Sequence, residues 1–451
     1  MPTQIDFFFT KQQTKTINNQ HLNKKMNNTE VKNRGWIVTM SGLFINLALG
    51  ILYAWSVLKE AISQSIQIGG EGSFDWDTIS LNDPYAVCIL SFAFSMMFAG
   101  TLQDKKGPAF TAKIGGLLVG IGFIIASLST NYYLWIIGFG LFGGTGIGFG
   151  YSSTTPAALK WFSSAKTGLI AGIVVSGFGL APVFIAPIAT VLVKSFGLQS
   201  TMLIFGISFI IIVSGLAFFL QNPPENYVAE DKPTTKETNN KPTIAIVTKD
   251  SGARVMLRAP EFYLMWIIFF IGSGAGLMTI GNISGMAKAS LGSSAFIAVA
   301  IMAIGNASGR LVAGIVSDKI TKNLTLLIIL VFQTSLMFLS ALFLNDTASA
   351  FIIVLLATFI GFNYGTNLSL FPAFTKGFWG MKNFGLNFGI LMTAWGLGGF
   401  IFSRISQMLF ANTGTHNMSF IIAGSSLCVC IILTVVLMKM SSKKEKSLNT
   451  I

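Results

Sequence analysis

The sequence predicts an all-α membrane protein: twelve transmembrane helices in two pseudo-symmetric halves of six, with both termini cytoplasmic. Three observations carry this. Of 451 residues, 52% are hydrophobic and only 10% are charged, with a mean hydropathy of +0.67. Apolar runs of about 20 residues, enough for a helix to cross a ~30 Å hydrocarbon core, recur along the whole chain. The basic residues collect in alternate connections between those runs, as they do on the cytoplasmic side of membrane proteins. A soluble domain of this length would need far more charge around so large an apolar content, which excludes a large soluble enzyme.

The first 34 residues are rich in Asn, Gln and Lys. Their longest apolar run, IDFFF, is too short for the core of a signal peptide. Residues 1–34 are therefore expected to be a disordered cytoplasmic tail, with Met26 as good a start as Met1, since nothing before it is needed for the fold. Six spans follow, over about 35–58, 84–103, 110–130, 132–153, 167–193 and 199–220, making a first half at 35–220. Residues 221–260, opening QNPPENY, are the only long polar interior stretch and read as a cytoplasmic linker. Six more spans, over about 261–283, 293–316, 324–345, 348–372, 386–411 and 416–438, make a second half at 261–440. Residues 441–451 are a short cytoplasmic tail.

With the N-terminus inside, 25 of 30 Lys and Arg fall in cytoplasmic segments. The net charge of +13 is thus a topology signal and not a footprint for nucleic acid. Cys88, Cys428 and Cys430 all lie in apolar runs with no CxxC pair, so they read as small buried hydrophobes, neither disulfide nor metal set. None of the 17 acids lies deep in a span, and neither does His21 or His416. No nucleophile, carboxylate pair or metal cluster sits in the spans, so neither enzyme nor resident cofactor is expected. The fourth span, GFGLFGGTGIGFGYSS, repeats glycine every four residues, as Gly140, Gly144 and Gly148 and again as Gly146 and Gly150. That spacing lets helix backbones approach closely. No strand precedes it and no Lys-Ser/Thr follows, so it is no phosphate-binding loop.

An internal repeat marks the two halves. GTLQDKKG, Gly100 to Gly107, follows the second span, and GIVSDKIT, Gly314 to Thr321, follows the eighth. Both read G-x-x-x-D-K at the same place in their own half, the mark of a duplicated unit. This pair resembles the loop signature of the major facilitator superfamily. The resemblance implies a latch in which Asp104 and Asp318 bridge to neighbouring helix ends and basic residues and hold the outward-open state. Gly100, Gly107 and Gly314 belong to the same signature, with Gly100 and Gly314 admitting close helix packing. Thr321 stands where the second copy would end in glycine, which implies a looser second latch.

One charge lies deep in a span. Within IGNASGRLVAGIVSDKI, Arg310 precedes the loop residue Asp318 by about two turns, or ~12 Å. A guanidinium cannot shed its proton, and burying one without a partner costs at least a few kcal/mol. No deep carboxylate is present to pair with it, so a substrate anion is the expected partner; snorkelling toward Asp318 is the alternative. Arg404, nearer the outer side of the eleventh span, serves either an outer gate or the headgroups.

NPPENY, the YAWSV of the first span, the GFNYGTNLSLFPA of the tenth and KNFGLNFGILMTAWGLGG, Lys382 to Gly399, together resemble the oxalate/formate antiporter family over about 35–440. That family includes proteins described as lactate transporters and is related to the monocarboxylate transporters. The resemblance implies that Arg310 binds a substrate carboxylate, with Asn306 one turn before it on the same face. It also implies hydroxyl roles for Tyr151 and Tyr364. Tyr53 and Trp395, with Asn46, Asn282 and Asn363, are further candidates on cavity-facing spans, where packing or interhelical bonding is the competing reading. Trp395 stands where the antiporters would carry a second cation. One cation matches one carboxylate, which favours lactate, pyruvate or formate over a dicarboxylate. The first span lacks the lysine of the animal-type monocarboxylate transporters, and Asn306 replaces an Asp, so no intramembrane proton relay is visible. The expected protein is a monomeric secondary transporter of small monocarboxylates in the plasma or inner membrane. Protons couple it by analogy with the lactate relatives, and exchange of two carboxylates is the rival.

Overall fold

The computed structural model describes residues 33–224, 227, 250–291, 295–344 and 348–448, with backbone alone at 78–79, 282–291, 295–297 and 443–448. The tail 1–32, most of the linker, residues 449–451 and the Asn282 side chain lie outside the described residues. Among these residues all regular secondary structure is helical, with no strand. Eleven segments are long and apolar enough to cross a membrane. One of them, Thr167–Ala217, contains Gly197 at φ 79° and ψ 168°. Only glycine adopts that backbone readily, and it ends one span and begins the next without a loop. The twelve helices are therefore α1 (Gly35–Ile68), α2 (Asp83–Lys106), α3 (Pro108–Ser127), α4 (Tyr132–Leu159), α5 (167–196), α6 (198–217), α7 (Pro260–Leu291), α8 (Ala295–Lys319), α9 (Lys322–Phe343), α10 (Ala350–Trp379), α11 (Phe384–Thr413) and α12 (Asn417–Leu448).

Local sequence explains most boundaries. Asn131 caps α4, its side chain accepting from the Tyr133 and Leu134 amides at 2.9 and 3.3 Å. Thr321 caps α9 through the Leu324 amide at 3.2 Å, and Ser349 caps α10 through Ile352 at 3.4 Å. Pro84 and Pro108 sit in the first turns of α2 and α3, where a missing N–H costs nothing. The first span runs past its expected end at 58 to Ile68. Leu58 and Ile62 recur one turn apart and stay buried while Glu60 faces out, a pattern too polar for a hydropathy window but sufficient for an amphipathic helix.

Two departures from regular helix lie inside spans. α1 passes through a tighter 3₁₀ stretch at Gly50–Ala54, and α4 through a π-helical stretch at Ile136–Gly143. The glycines of α4 admit close approach of α1, α2 and α3, Gly150 facing Leu49 of α1. A Cβ at Gly140 would meet Val87, and at Gly148 it would meet Phe92, both on α2; at Gly146 it would meet Val119 of α3. Across the halves, α2 packs on α11 and α5 packs on α8. A cavity of about 170 Å³ lies between the halves, reaching the surface beside Lys59, Asp83 and Arg404. Asp104 and Asp318 lie at the other ends of their helices.

Candidate functional site

α8 sets Asn306 and Arg310 one turn apart, and the side chains meet: Arg310 Nε donates to Asn306 Oδ1 at 3.0 Å. Nη1 donates to the Val175 carbonyl of α5. α5 comes this close because it presents glycines; a Cβ at Gly172 would overlap the Arg310 carbonyl, and one at Gly179 would sit 3.2 Å from Arg310 Nε. The arginine is fully buried, and its Nη2 makes no hydrogen bond to any described residue. No described carboxylate pairs with it. The alternative of snorkelling toward Asp318 does not hold: the side chain turns back along α8 to Asn306, the direction helical side chains favour, and Asp318 is engaged elsewhere.

Four helices from both halves, α1, α4, α10 and α11, bring aromatic residues around this arginine. Tyr53, on the 3₁₀ stretch of α1, shares a 2.8 Å hydroxyl–hydroxyl hydrogen bond with Tyr364 of α10. Trp395 Nε1 of α11 donates to the same Tyr364 oxygen at 2.8 Å. The guanidinium lies near the hydroxyls of Tyr53, Tyr151 and Tyr364. The Tyr151 hydroxyl is buried without a hydrogen-bond partner among the described residues. Its ring packs edge-on to Phe92 and Phe178, at 5.4 and 5.5 Å between centroids. Phe92 also packs on Trp395, and Phe178 on Tyr53. Sequence reasoning missed Phe92 and Phe178, and nothing local separates them from the other 38 of the chain's 40 phenylalanines.

The open cavity stops short of Arg310. Tyr53 and Asn306 line it, while Arg310, Tyr151, Tyr364 and Trp395 lie behind them, at most 2% exposed. Of the remaining candidates, Asn46 is structural: it donates to the Val174 carbonyl at 2.9 Å and accepts from Thr154 at 3.3 Å, tying α1, α4 and α5 together. Asn363 donates to Phe359 within its own helix at 2.9 Å.

The repeated loops end in two equivalent clasps. Asp104 accepts from the Gly385 and Leu386 amides at 3.2 Å each, at the N-terminus of α11. Asp318 accepts from Gly168 and Leu169 at 2.8 Å each, at the N-terminus of α5. Each carboxylate thus satisfies free amides of the opposite half, where the helix dipole favours negative charge. A Cβ at Gly100 would overlap the Gly385 carbonyl, and one at Gly314 that of Gly168. Gly107, at φ 90°, makes the turn into α3. Lys160 lies near Asp104; burial pushes its ammonium below the usual lysine range, and Asp104 opposes that shift. Contrary to the expectation of a looser second copy, the Asp318 bonds are the shorter pair, and Thr321 serves instead as the cap of α9.

The family profile described as Major Facilitator Superfamily matches residues 35–403 and, overlapping, 290–450. The chain is 29% identical over 369 residues to the uncharacterized MFS-type transporter YhjX of Escherichia coli (strain K12), covering 80% of this chain and 85% of that protein. It is 23% identical over 421 residues to the oxalate:formate antiporter of Oxalobacter formigenes, covering 92% and 94%. Among solved structures, a variant of the E. coli fucose:proton symporter FucP superposes with a TM-score of 0.63 at 12% identity, over 89% of this chain and 98% of that one. The human organic anion transporter MFSD10 does so at 0.61 and 12%, over 90% and 99%. At that identity the two structures show the fold alone.

Proposed function

This chain belongs to the major facilitator superfamily, as a multi-pass membrane transporter of the oxalate:formate antiporter and monocarboxylate transporter type, and we propose that it carries a small monocarboxylate such as lactate, pyruvate or formate by alternating access. One observation carries this reading: Nη2 of a fully buried, permanently charged Arg310 has no acceptor among the described residues. A carboxylate supplies the missing acceptor and the missing charge, in a fork-to-fork geometry that guanidinium favours. Asn306 fixes the Nε side of the fork, and in this reading the Tyr151 hydroxyl, buried without a partner among the described residues, donates to the bound anion. The aromatic residues around Arg310 bring no second cation that a dicarboxylate would need.

In this reading the anion enters through the open cavity and passes Tyr53, whose hydrogen bond to Tyr364 closes the way to Arg310. Gly100, Asp104, Gly107, Gly314 and Asp318 form the latch that keeps the opposite end shut. The termini lie in the cytoplasm, so the cavity faces outward, and the protein works as a monomer. Binding neutralises the buried guanidinium and lowers the cost of closing the halves around it. Proton symport is the favoured coupling. Exchange of two carboxylates is the second reading, supported by the antiporter relative spanning 92% of the chain and by the lack of a deep titratable acid among the described residues.

The test is uptake of labelled lactate, formate and oxalate into proteoliposomes, with and without an inward proton gradient, by the wild type and Arg310→Gln. Lactate uptake that follows the gradient and is lost in the variant supports symport of a monocarboxylate. Uptake that needs internal carboxylate and ignores the gradient supports exchange. A variant that transports like the wild type overturns the assignment of Arg310.

A further inference from the structure

Arg404 and Asp83 form a second charged arrangement, at the mouth of the same cavity. Arg404 Nη2 of α11 lies 3.6 Å from Asp83 Oδ1 at the start of α2, so the pair bridges the two halves. That distance is an ionic contact and not a hydrogen bond. Asp83 is held from its own side: Tyr132 donates to its Oδ2 at 2.8 Å. Arg404 is half exposed and Asp83 28% exposed. The guanidinium faces Phe400 at 5.9 Å and donates to no described acceptor. Lys59 of α1 lines the same mouth, and Asp83 is the only carboxylate among the lining residues. The mouth therefore holds two cations and one anion, within apolar walls that focus the field. At the inner end of the cavity stands Asn306, whose amide oxygen already contacts Arg310.

We propose that Arg404 is a first binding site for the incoming carboxylate, that Asp83 occupies it in the empty protein, and that the anion passes from there to Arg310. The inference rests on reading the cavity as the route of a carboxylate. An exposed ion pair at this separation contributes little to stability, so a carboxylate in solution exchanges with Asp83 readily. The guanidinium then offers the incoming acid donors that Asp83, tethered to Tyr132, does not reach. Lys59 adds charge that draws anions in without itself being paired to Asp83.

A mere brace between α2 and α11 makes a different prediction from a binding site. For a brace, removing either partner acts in the same direction. For a site with an internal competitor, the two act in opposite directions. We therefore expect Arg404→Gln to raise the KM for labelled lactate uptake about 3- to 10-fold at low salt, with kcat within about twofold, because the loss is one of capture. Asp83→Asn should lower KM about 2- to 5-fold, by removing the competing charge. Both effects should shrink between about 10 mM and about 300 mM salt, as screening shortens the field. A binding measurement separates this site from the deep one. Purified full-length Arg310→Gln, titrated with sodium lactate against sodium chloride at equal ionic strength, should keep a lactate-specific change in tryptophan fluorescence, since Trp55 lines the mouth. Adding Arg404→Gln should abolish it. If Arg404→Gln and Asp83→Asn shift KM in the same direction or not at all, or the double variant keeps the lactate response, the mouth site is overturned. If Arg310→Gln itself transports like the wild type, the function assigned above fails instead.

Discussion

Tyr53 and Tyr364 meet hydroxyl to hydroxyl at 2.8 Å across the two halves, and Arg310 lies behind them. Tyr364 also accepts from the Trp395 indole, so the two tyrosines are not equivalent. Tyr53→Phe deletes one shared hydrogen bond, a loss of about 1 kcal/mol. Tyr364→Phe deletes the same bond and strands a buried N–H, which costs about 1–3 kcal/mol more. Thermal unfolding of the purified protein should therefore show a larger drop in Tm for Tyr364→Phe than for Tyr53→Phe. Equal drops would mean that the indole finds another acceptor.

Arg310 should be functionally irreplaceable and structurally costly. Lysine keeps the charge but not the planar fork, so Arg310→Lys should reduce lactate uptake at least about tenfold. Arg310→Gln should abolish uptake while leaving Tm unchanged or raised in the absence of carboxylate, because it removes a buried charge lacking a partner. Adding lactate should raise the wild-type Tm and leave that of Arg310→Gln unmoved, since a ligand stabilises only the state it binds.

The two clasps should contribute unequally. Each carboxylate accepts two amide hydrogen bonds, and bonds to a charged acceptor contribute about 1.5–3 kcal/mol each. The Asp318 bonds are shorter than those of Asp104 by 0.4 Å, 2.8 against 3.2 Å. Asp318→Asn should open the closed end more than Asp104→Asn, read as faster thiol labelling of a cysteine placed at buried Ser317 in one background and at buried Gln103 in the other. Gly314→Leu should open it by overlap with the Gly168 carbonyl even when Asp318 is intact.

Gly197 joins α5 to α6 whereas Gly215 lies within α6, and the two differ in backbone. Gly197 has φ 79°, and Gly215 has a helical φ with open space where a Cβ would go. Gly197→Ala should destabilise by about 1–2 kcal/mol, because a Cβ is penalised in that region. Gly215→Ala should stabilise by about 0.5–1 kcal/mol. Thermal unfolding of the pair distinguishes a required turn from a tolerated glycine.

The spans were legible because each is a property of a short stretch: enough apolar residues in a row to cross a bilayer. The ends were less so. Hydropathy stopped α1 at residue 58, since Lys59 and Glu60 interrupt the apolar run although the helix continues to Ile68. The sequence placed a break between the fifth and sixth spans, at about 194–198, and the structure makes it with one positive-φ glycine, Gly197. Arg310 stood out in the sequence because a guanidinium deep in a span with no deep carboxylate is a local anomaly. Phe92 and Phe178 did not, because aromatic residues are everywhere in this chain.

The amino-acid sequence alone determined the helix count, the duplication and the position of the single deep charge. Those depend on run length, on repeated loops and on where charge is placed along one dimension. Only the tertiary structure decided that the Arg310 Nη1 meets a carbonyl 135 positions away and Nη2 meets no described acceptor, and that each clasp grips the half it does not belong to. Such pairings depend on how far each helix is rotated and how near its neighbour lies. In a membrane that is set by close contact between small residues, here Gly172 and Gly179 against α8, and Gly100 against Gly385.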